Sequence, residues 1–526
     1  MHFPRSCGIL LHPTSLPGRY GIGDLGAAAR QFADFLTQSG QRYWQILPLG
    51  PTGFGDSPYQ SFSAFAGNPL LIDLEELVSW GLLPQSELDN APNFPTDHVD
   101  YDAVAEWKFP LLWQAHETYR NRVASSIDDP FNAFRQSNQE WLDDFTLFTA
   151  LKKEFDGQEW TEWPEAVRKR DPQTLDKWRS QLHDGIEARA LWQFIFHHQW
   201  MNLKQYCHNQ GLRIIGDIPI YVAHDSADVW ANRDLFQLDE EGKPTVVAGV
   251  PPDYFSETGQ LWGNPLYDWE ALSKTGYSWW MKRVQHTLKQ VDIIRLDHFR
   301  GFEAYWEVPA DHETAQDGKW VKGPGEWFFD TLAYVIGSLP LIAENLGVIT
   351  DEVEALRKRY ELPGMAVMQF GFGGDANNPH LPHNYEPQTV AYTGTHDNDT
   401  VAGWWNSAPD EQSTRDAASI NQEKEHAAKY LPTDGQAVHW DFIRALYNTV
   451  AHTAVIPLQD ALGLGSEARM NQPGDPQGNW QWRCPPSPPW NRMQAKLLDL
   501  AELYGRVNPD APRQESTDHE SGESTR

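Results

Sequence analysis

Cysteine is scarce in this chain, and its few cysteines are far apart. Only Cys7, Cys207 and Cys484 occur in 526 residues, and no two of them form a CxxC pair. A disulfide scaffold needs a larger, even number of cysteines, and a zinc cluster needs closely spaced ligands. Neither is therefore expected to hold this fold together.

Sequence patterns for metals and nucleotides are also missing. The chain has no HExxH and no GxSxG, and no GxGxxG or phosphate-loop pattern directly follows an apolar run. A metal site is the competing use of a set of histidines and acids: His12, His298, His396, Asp297 and Asp397. The first apolar run ends in HPTS rather than the HxH of amidohydrolase barrels, so we expect no metal and no cofactor.

Basic residues are outnumbered, with 42 Lys and Arg against 73 Asp and Glu and a net charge of -31. Such a surface repels phosphate backbones and anionic lipids, so nucleic acid and membranes are not expected partners. No apolar run reaches membrane-spanning length, and the first residues lack a basic stretch followed by an apolar one. We expect a cytoplasmic protein, a monomer or weak dimer, that binds a neutral or cationic ligand, although an acidic surface also fits a role in solubility alone.

Aromatic residues are abundant, with 24 Trp, 18 Tyr and 24 Phe. Their flat faces can stack on the C–H faces of sugars, which favours a carbohydrate ligand. The same residues also fit an aromatic core, because large rings contribute strongly to buried packing. Composition leaves both interpretations open.

Eight short apolar runs are spread along the chain. They are continuous rather than alternating, which is typical of parallel strands that are covered on both faces. Helical patterns lie between them, and in the first one Asp24 is the expected N-cap. This alternation predicts an α/β fold, a (β/α)₈ TIM barrel. The predicted strands are 8–12, 43–49, 212–220, 291–297, 340–344, 365–370, 390–393 and 454–458, and the predicted helices are 24–39, 185–209, 326–337, 350–360 and 440–452.

The spacing of these runs predicts insertions into the barrel. About 160 residues separate the second and third runs, far more than a usual connection. We assign residues 61–185 to an inserted, largely helical subdomain, and 1–60 with 186–508 to the catalytic barrel. Residues 223–268 form a lid or second insertion, 509–526 a disordered tail, and no separate C-terminal β domain is expected.

Acidic side chains recur at the ends of the predicted strands, where barrel enzymes place reactive groups. Asp297 shares a strand face with Arg295, and a nearby guanidinium keeps a carboxylate ionised, as a nucleophile requires. Glu344 follows another apolar run, where partial shielding would let it hold a proton as a general acid. Asp397 lies in the polar segment YTGTHDNDT. Each acid alone also fits a structural role, namely an ion pair, a strand-end contact or an Asx turn.

The chain resembles the 4-α-glucanotransferases of the amylomaltase (disproportionating enzyme) type, glycoside hydrolase family 77. The resemblance runs in order along almost the whole chain. The segments that carry it are GILLHPTSLPGRYGIGDLG, WQILPLGPTGFGDSPYQSFSAFAGNP, GDIPIYVAHDSADVW, PPDYFSETGQLWGNPLYDW, IIRLDHFRGF, IAENLG, YTGTHDNDT and RMNQPG.

This resemblance implies a retaining double displacement on an α-1,4-glucan. It makes Asp297 the nucleophile, Glu344 the acid/base and Asp397 the transition-state stabiliser. Retention requires the two reacting carboxyl groups to lie roughly 5 Å apart, which neighbouring strands allow. The implied substrate-binding residues are Tyr59, Asp217, Tyr254, Phe255, Gln260, Trp262, Arg295, His298, His396 and Asn471.

The acceptor of the transferred glucan is the point that the residues leave open. A transferase must exclude water and bind a sugar acceptor, and Tyr254 with Phe255 in an aromatic loop could do both. The first hypothesis is therefore transfer of an α-glucan segment to another glucan or glucose. The alternatives are an α-glucan hydrolase on the same site and a non-catalytic glucan-binding protein.

Overall fold

Eight parallel strands form the central sheet of the computed structural model, which describes residues 3–122, 126–252, 258–408, 417–475 and 477–512. Twelve strands are numbered in chain order: β1 Ser6–Leu10, β2 Tyr43–Gln45, β3 Arg213–Ile218, β4 Val246–Val250, β5 Gln260–Pro265, β6 Ile293–Leu296, β7 Ala304–Pro309, β8 Lys319–Lys322, β9 Leu341–Ala343, β10 Gly364–Val367, β11 Thr389–Tyr392 and β12 Thr453–Pro457. The central sheet has the order β10-β11-β12-β1-β2-β3-β6-β9, and Ala343 N–H donates to Pro363 C=O beside β10. The sheet therefore curls into a barrel.

The predicted (β/α)₈ fold is confirmed, since each of the eight predicted runs overlaps one strand of the central sheet. The strands are almost wholly buried, as expected where side chains fill the barrel on one face and helices cover the other. In the described chain after β12, up to residue 512, the regular elements are helical, so the C-terminal end adds no β domain there.

Helices follow most of the strands. The α-helices are Ala27–Gln38, Leu74–Ser79, Gln85–Asp89, Tyr101–Asn121, Asp128–Glu154, Glu165–Arg168, Pro172–Gln181, His183–Asn209, Ala227–Ala231, Trp269–Lys274, Ser278–Gln290, Gly325–Ile336, Asp351–Arg359, Val401–Asn406, Ala417–Tyr430, Val438–Asn448, Leu458–Leu462 and Trp490–Leu503. The prediction that Asp24 is the N-cap of the first helix is wrong. Gly26 is the N-cap of the first helix, and Asp24 instead accepts the Gly26 N–H at 3.0 Å, because the chain turns before the helix begins.

The stretch between β2 and β3 is occupied by seven of these helices. Its aromatic residues pack into the main core, for example Phe131 on Phe194 at 5.4 Å and Phe148 on Trp230 at 5.9 Å between ring centroids. Helix His183–Asn209 runs without interruption across the boundary assigned between 185 and 186. The division into barrel and subdomain stays a prediction.

A second, antiparallel sheet was not expected from the sequence. Its order is β5-β4-β7-β8, and it combines the 223–268 segment with chain that follows β6. The start of the predicted tail is packed rather than free, since Asp510 pairs with Arg42 at 2.9 Å. The rest of the tail, from 513, lies outside the described residues.

The three cysteines are buried and unpaired. Within the described ranges, no helix combines the length and the apolarity that crossing a membrane requires. In the same part of the chain, His, Cys, Asp and Glu form no group of three that could hold a metal ion.

Candidate active site

The carboxyl ends of four strands of the barrel deliver polar side chains to one mouth. Asp217 is the last but one residue of β3, Asp297 follows β6, Glu344 follows β9, and Asp397 comes shortly after β11. Because all eight strands are parallel, these ends face the same way. The topology thus collects the acids that the sequence places far apart.

Arg295 lies between two carboxylates. Its Nη1 is 2.6 Å from Oδ2 of Asp217 and 2.9 Å from Oδ1 of Asp297. The Asp217 side chain is fully buried, whereas that of Asp297 is 28% exposed toward the mouth. The guanidinium therefore bridges the two carboxylates and fixes the direction of the Asp297 carboxylate.

Asp217 is held from a second side as well. Tyr59 Oη donates to Asp217 Oδ2 at 2.9 Å, whereas Oδ1 is buried and makes no hydrogen bond in the described structure. Burial raises the pKa of Asp217, and the Arg295 charge opposes that rise. Its buried place behind Arg295 suits a residue that orients the guanidinium.

Glu344 is buried at the end of β9 and is held by two backbone groups. Its Oε2 accepts the His298 N–H at 2.7 Å, and its Oε1 accepts the Leu346 N–H at 2.8 Å. Burial, reinforced by the Asp297 charge, raises the pKa of Glu344 to about 7, although Arg295 and the two N–H groups oppose the rise. A carboxyl with such a pKa can both donate and accept a proton near neutral pH.

His298 adopts a left-handed backbone conformation, with φ at 50°. This turn aims its N–H at Glu344 and lays its ring edge-to-face against Trp262, with centroids 4.8 Å apart. Burial lowers the pKa of His298 to about 3, so the ring is neutral. Its Nε2 is buried and has no hydrogen-bond partner among the described residues, which leaves a donor or acceptor for a ligand.

Asp397 stands apart from the Arg295 cluster and is 43% exposed. Asn471 Nδ2 donates to its Oδ1 at 2.6 Å, and His396 Nε2 lies 3.4 Å from its Oδ2. Arg469 donates to the Asp397 backbone carbonyl at 2.8 Å. The segment that contains Asn471 therefore holds the third carboxylate in place.

Tyr59, His396 and Trp480 form an aromatic wall. The Tyr59 ring stacks on His396 at 5.2 Å with 15° between planes, and Trp480 lies 5.5 Å from Tyr59 and 5.9 Å from His396. Trp480 has a left-handed φ of 65°, and its carbonyl accepts the Tyr101 hydroxyl. The sequence analysis did not single out Trp480 or Arg469, although Arg469 is the first residue of the RMNQPG segment that carries part of the resemblance and Trp480 follows that segment closely.

Two of the remaining predicted contacts lie on the second sheet. Gln260 and Trp262 are both on β5, and Trp262 Nε1 donates to Gln260 Oε1 at 3.2 Å. Trp262 reaches the site through its contact with His298. Tyr254 and Phe255 lie outside the described residues.

Comparisons with known proteins show the family to which the whole chain is similar. The family model of glycoside hydrolase family 77, described as 4-alpha-glucanotransferase, matches residues 11–488. A 4-alpha-glucanotransferase of Thermus thermophilus is 50% identical over 515 residues, covering 96% of this chain and all of the relative. The chloroplastic/amyloplastic 4-alpha-glucanotransferase of Solanum tuberosum is 45% identical, covering 96% of this chain and 87% of the relative.

Solved structures extend the comparison to the fold. An amylomaltase from Streptococcus agalactiae in complex with acarbose superposes with a TM-score of 0.89 at 39% identity, covering 96% of this chain and all of that one. The amylomaltase from Corynebacterium glutamicum has a TM-score of 0.76 at 18% identity, covering 97% of this chain and 75% of that one, and shows the fold alone.

Proposed function

Because the chain belongs to glycoside hydrolase family 77, the 4-α-glucanotransferases, we propose that it moves segments of α-1,4-glucans by a retaining double displacement. The observation that carries this proposal is the pair formed by Asp297 and Glu344. One acid is held by a guanidinium at the open mouth, and the other is buried with a pKa of about 7. These are the environments that a nucleophile and an acid/base require.

The first displacement makes the glycosyl-enzyme. An Asp297 oxygen attacks C1 of the donor glucose, and Glu344 gives its proton to the glycosidic oxygen as the C1–O bond breaks. The products are an ester between C1 and Asp297 and a shortened glucan with a free 4-hydroxyl group. Asp397, fixed by Asn471, binds sugar hydroxyls and stabilises the positive charge that develops near C1.

The second displacement returns the glucan segment to an acceptor. Glu344, now a carboxylate, takes the proton of the acceptor 4-hydroxyl, and the hydroxyl oxygen attacks C1 while the ester bond breaks. The two inversions restore the α configuration. A glucan or glucose acceptor gives transfer, and water in the same position would give hydrolysis.

Sugar contacts are proposed for the walls of the site. Tyr59 with His396 on one side and Trp262 with His298 on the other present rings beside the carboxylates. The acarbose named with the Streptococcus agalactiae relative is consistent with an α-glucan at this mouth. No cofactor enters the proposed chemistry. Cytoplasmic location stays a prediction, since the potato relative is named as chloroplastic/amyloplastic.

Incubation with maltotriose tests the proposal. A transferase yields glucose together with a ladder of longer glucans, a hydrolase yields only shorter products, and a binding protein yields none. Asp297→Asn should lower turnover by several orders of magnitude at an unchanged denaturant midpoint, whereas the exposed control Asp434→Asn should keep full activity. Near-normal turnover of Asp297→Asn would contradict the assigned nucleophile.

A further inference from the structure

Helix Gly325–Ile336 displays large aromatic rings on its solvent side. Its inner side packs Phe328, Phe329 and Leu332 into the core, where all three are fully buried. On the outer side, Trp327 is 78% exposed and Tyr334 is 91% exposed. Neither ring contacts another aromatic ring within the described parts of the chain. A helix that is already anchored by three buried side chains does not need these two rings for its own packing.

The two rings form one line along the helix. Trp327 and Tyr334 are seven residues apart, so they lie on the same face, separated by about 10.5 Å along the axis. Asp330 and Thr331 stand between them on that face, at three and four residues from Trp327. We call these four residues, Trp327, Asp330, Thr331 and Tyr334, the outer stripe.

Polar groups beside the outer stripe are held in place. Tyr360 Oη lies 2.7 Å from Asp330 Oδ1 and 2.9 Å from the Glu326 carbonyl oxygen, and its single hydrogen is shared between these two acceptors. Arg359 lies 3.4 Å from Glu326. The stripe therefore combines two apolar faces with fixed carboxylate and hydroxyl oxygens, which is the mixture that a sugar, with apolar C–H faces and hydroxyl edges, can use.

The outer stripe is too small and too polar for a stable protein partner. Two exposed aromatic rings offer at most about 300–500 Å², whereas a standard interface buries about 800 Å² on each partner. Val335, 39% exposed, adds little to this area, and Asp330 interrupts it. Local acidity at Glu326 and Asp330, on a chain of net charge -31, disfavours anionic ligands but not a neutral polysaccharide.

We infer that the outer stripe is a second binding site for long α-glucans, on the outside of the barrel. The inference rests on the proposed function, because the polymer it holds is the substrate of the active site. The helix follows β8 and leads into β9, so it runs back along the barrel wall from the end at which Glu344 lies. Trp327, in its first turn, is therefore the ring nearer that end of the barrel.

Retardation in native gels that contain glycogen tests the second site. The variant is Trp327→Ala/Tyr334→Ala, and the matched control is Val450→Ala/Leu503→Ala, which removes two exposed apolar side chains elsewhere. We expect the ring variant to bind glycogen about tenfold more weakly, which is about 1.4 kcal/mol. Its KM for glycogen should rise, its turnover of maltotriose should stay unchanged, and Trp327→Phe/Tyr334→Phe should restore most of the retardation.

Two results would overturn this inference. Unchanged retardation of the ring variant, in an enzyme that still disproportionates maltotriose, rejects the second site and leaves the proposed function intact. A dimer in sedimentation velocity that the ring variant abolishes would instead make a second copy of the chain the occupant. If the unaltered protein neither turns over maltotriose nor binds glycogen, the proposed function itself fails.

Discussion

The backbone N–H of His298 donates to Oε2 of Glu344 at 2.7 Å, which ties the residue next to Asp297 to the carboxyl group on the neighbouring strand. A second bond, from Phe299 N–H to the Glu344 carbonyl at 3.1 Å, joins the same two segments. The left-handed conformation of His298 makes this geometry available. The spacing of the two acids therefore depends on backbone contacts rather than on flexible side chains alone.

The titration of Glu344 should determine the alkaline limb of the pH profile of kcat/KM. Its pKa is raised to about 7, and only the protonated form can donate to the glycosidic oxygen. We expect kcat/KM for maltotriose to fall as pH rises through about 7, because the acid loses its proton. With an α-maltosyl fluoride donor, whose leaving group needs no proton, the limb should disappear from kcat/KM. An identical limb with both donors would assign it to another group, such as Asp217.

Trp480 is expected to position the other two rings of the aromatic wall. Trp480→Ala removes the ring that packs on Tyr59 and His396, so the wall loses its support near the reacting carbon. We expect kcat/KM to fall by about 10–100-fold, mostly through kcat. Trp480→Phe should recover most of the activity. Equal loss in the two variants, or loss explained by a lower unfolding midpoint, would contradict this role.

Replacement of Arg506, which lies far from the site, should strongly lower the stability of the fold. Its buried guanidinium donates to backbone carbonyls around the seam between β1 and β12, including Ser6 at 3.0 Å, Tyr447 at 2.8 Å and Ala451 at 3.0 Å. Arg506→Met leaves these carbonyls buried without a donor, which should lower the free energy of unfolding by about 3–5 kcal/mol. Denaturant titration measures this loss. The exposed control Arg444→Met should change stability by less than about 0.5 kcal/mol, and an equal effect would reject the account.

The barrel could be predicted from sequence because its strands are buried on both faces. Such strands appear in the sequence as continuous apolar runs. In a parallel sheet, the connections between the strands determine the strand order. The antiparallel sheet could not be predicted in the same way. Strand β8, with the sequence KWVK, is largely exposed and pairs with β7. On its other edge, β7 pairs with β4, which precedes β6 in the chain. Only the long-range contacts make β8 a strand.

Some features of the site can likewise be predicted from neighbouring residues, whereas others depend on contacts between residues far apart in the chain. Arg295 beside Asp297 is visible in the sequence because residues two apart share a strand face. The hold of Asn471 on Asp397 joins residues 74 positions apart, and without the resemblance nothing local marks it. The supporting role of Trp480 depends on a left-handed backbone conformation that the surrounding sequence does not predict.

Covalent trapping tests the nucleophile, the central claim of this account, most directly. Glu344→Gln removes the base that deglycosylation needs, whereas α-maltotriosyl fluoride can still react because fluoride leaves without a proton. After denaturation and proteolysis, mass spectrometry should find a maltotriosyl group on the peptide that contains Asp297. Asp297→Asn combined with Glu344→Gln should give no adduct. A maltotriosyl group on any other carboxylate, or its absence from Asp297 while fluoride is released, would contradict the account.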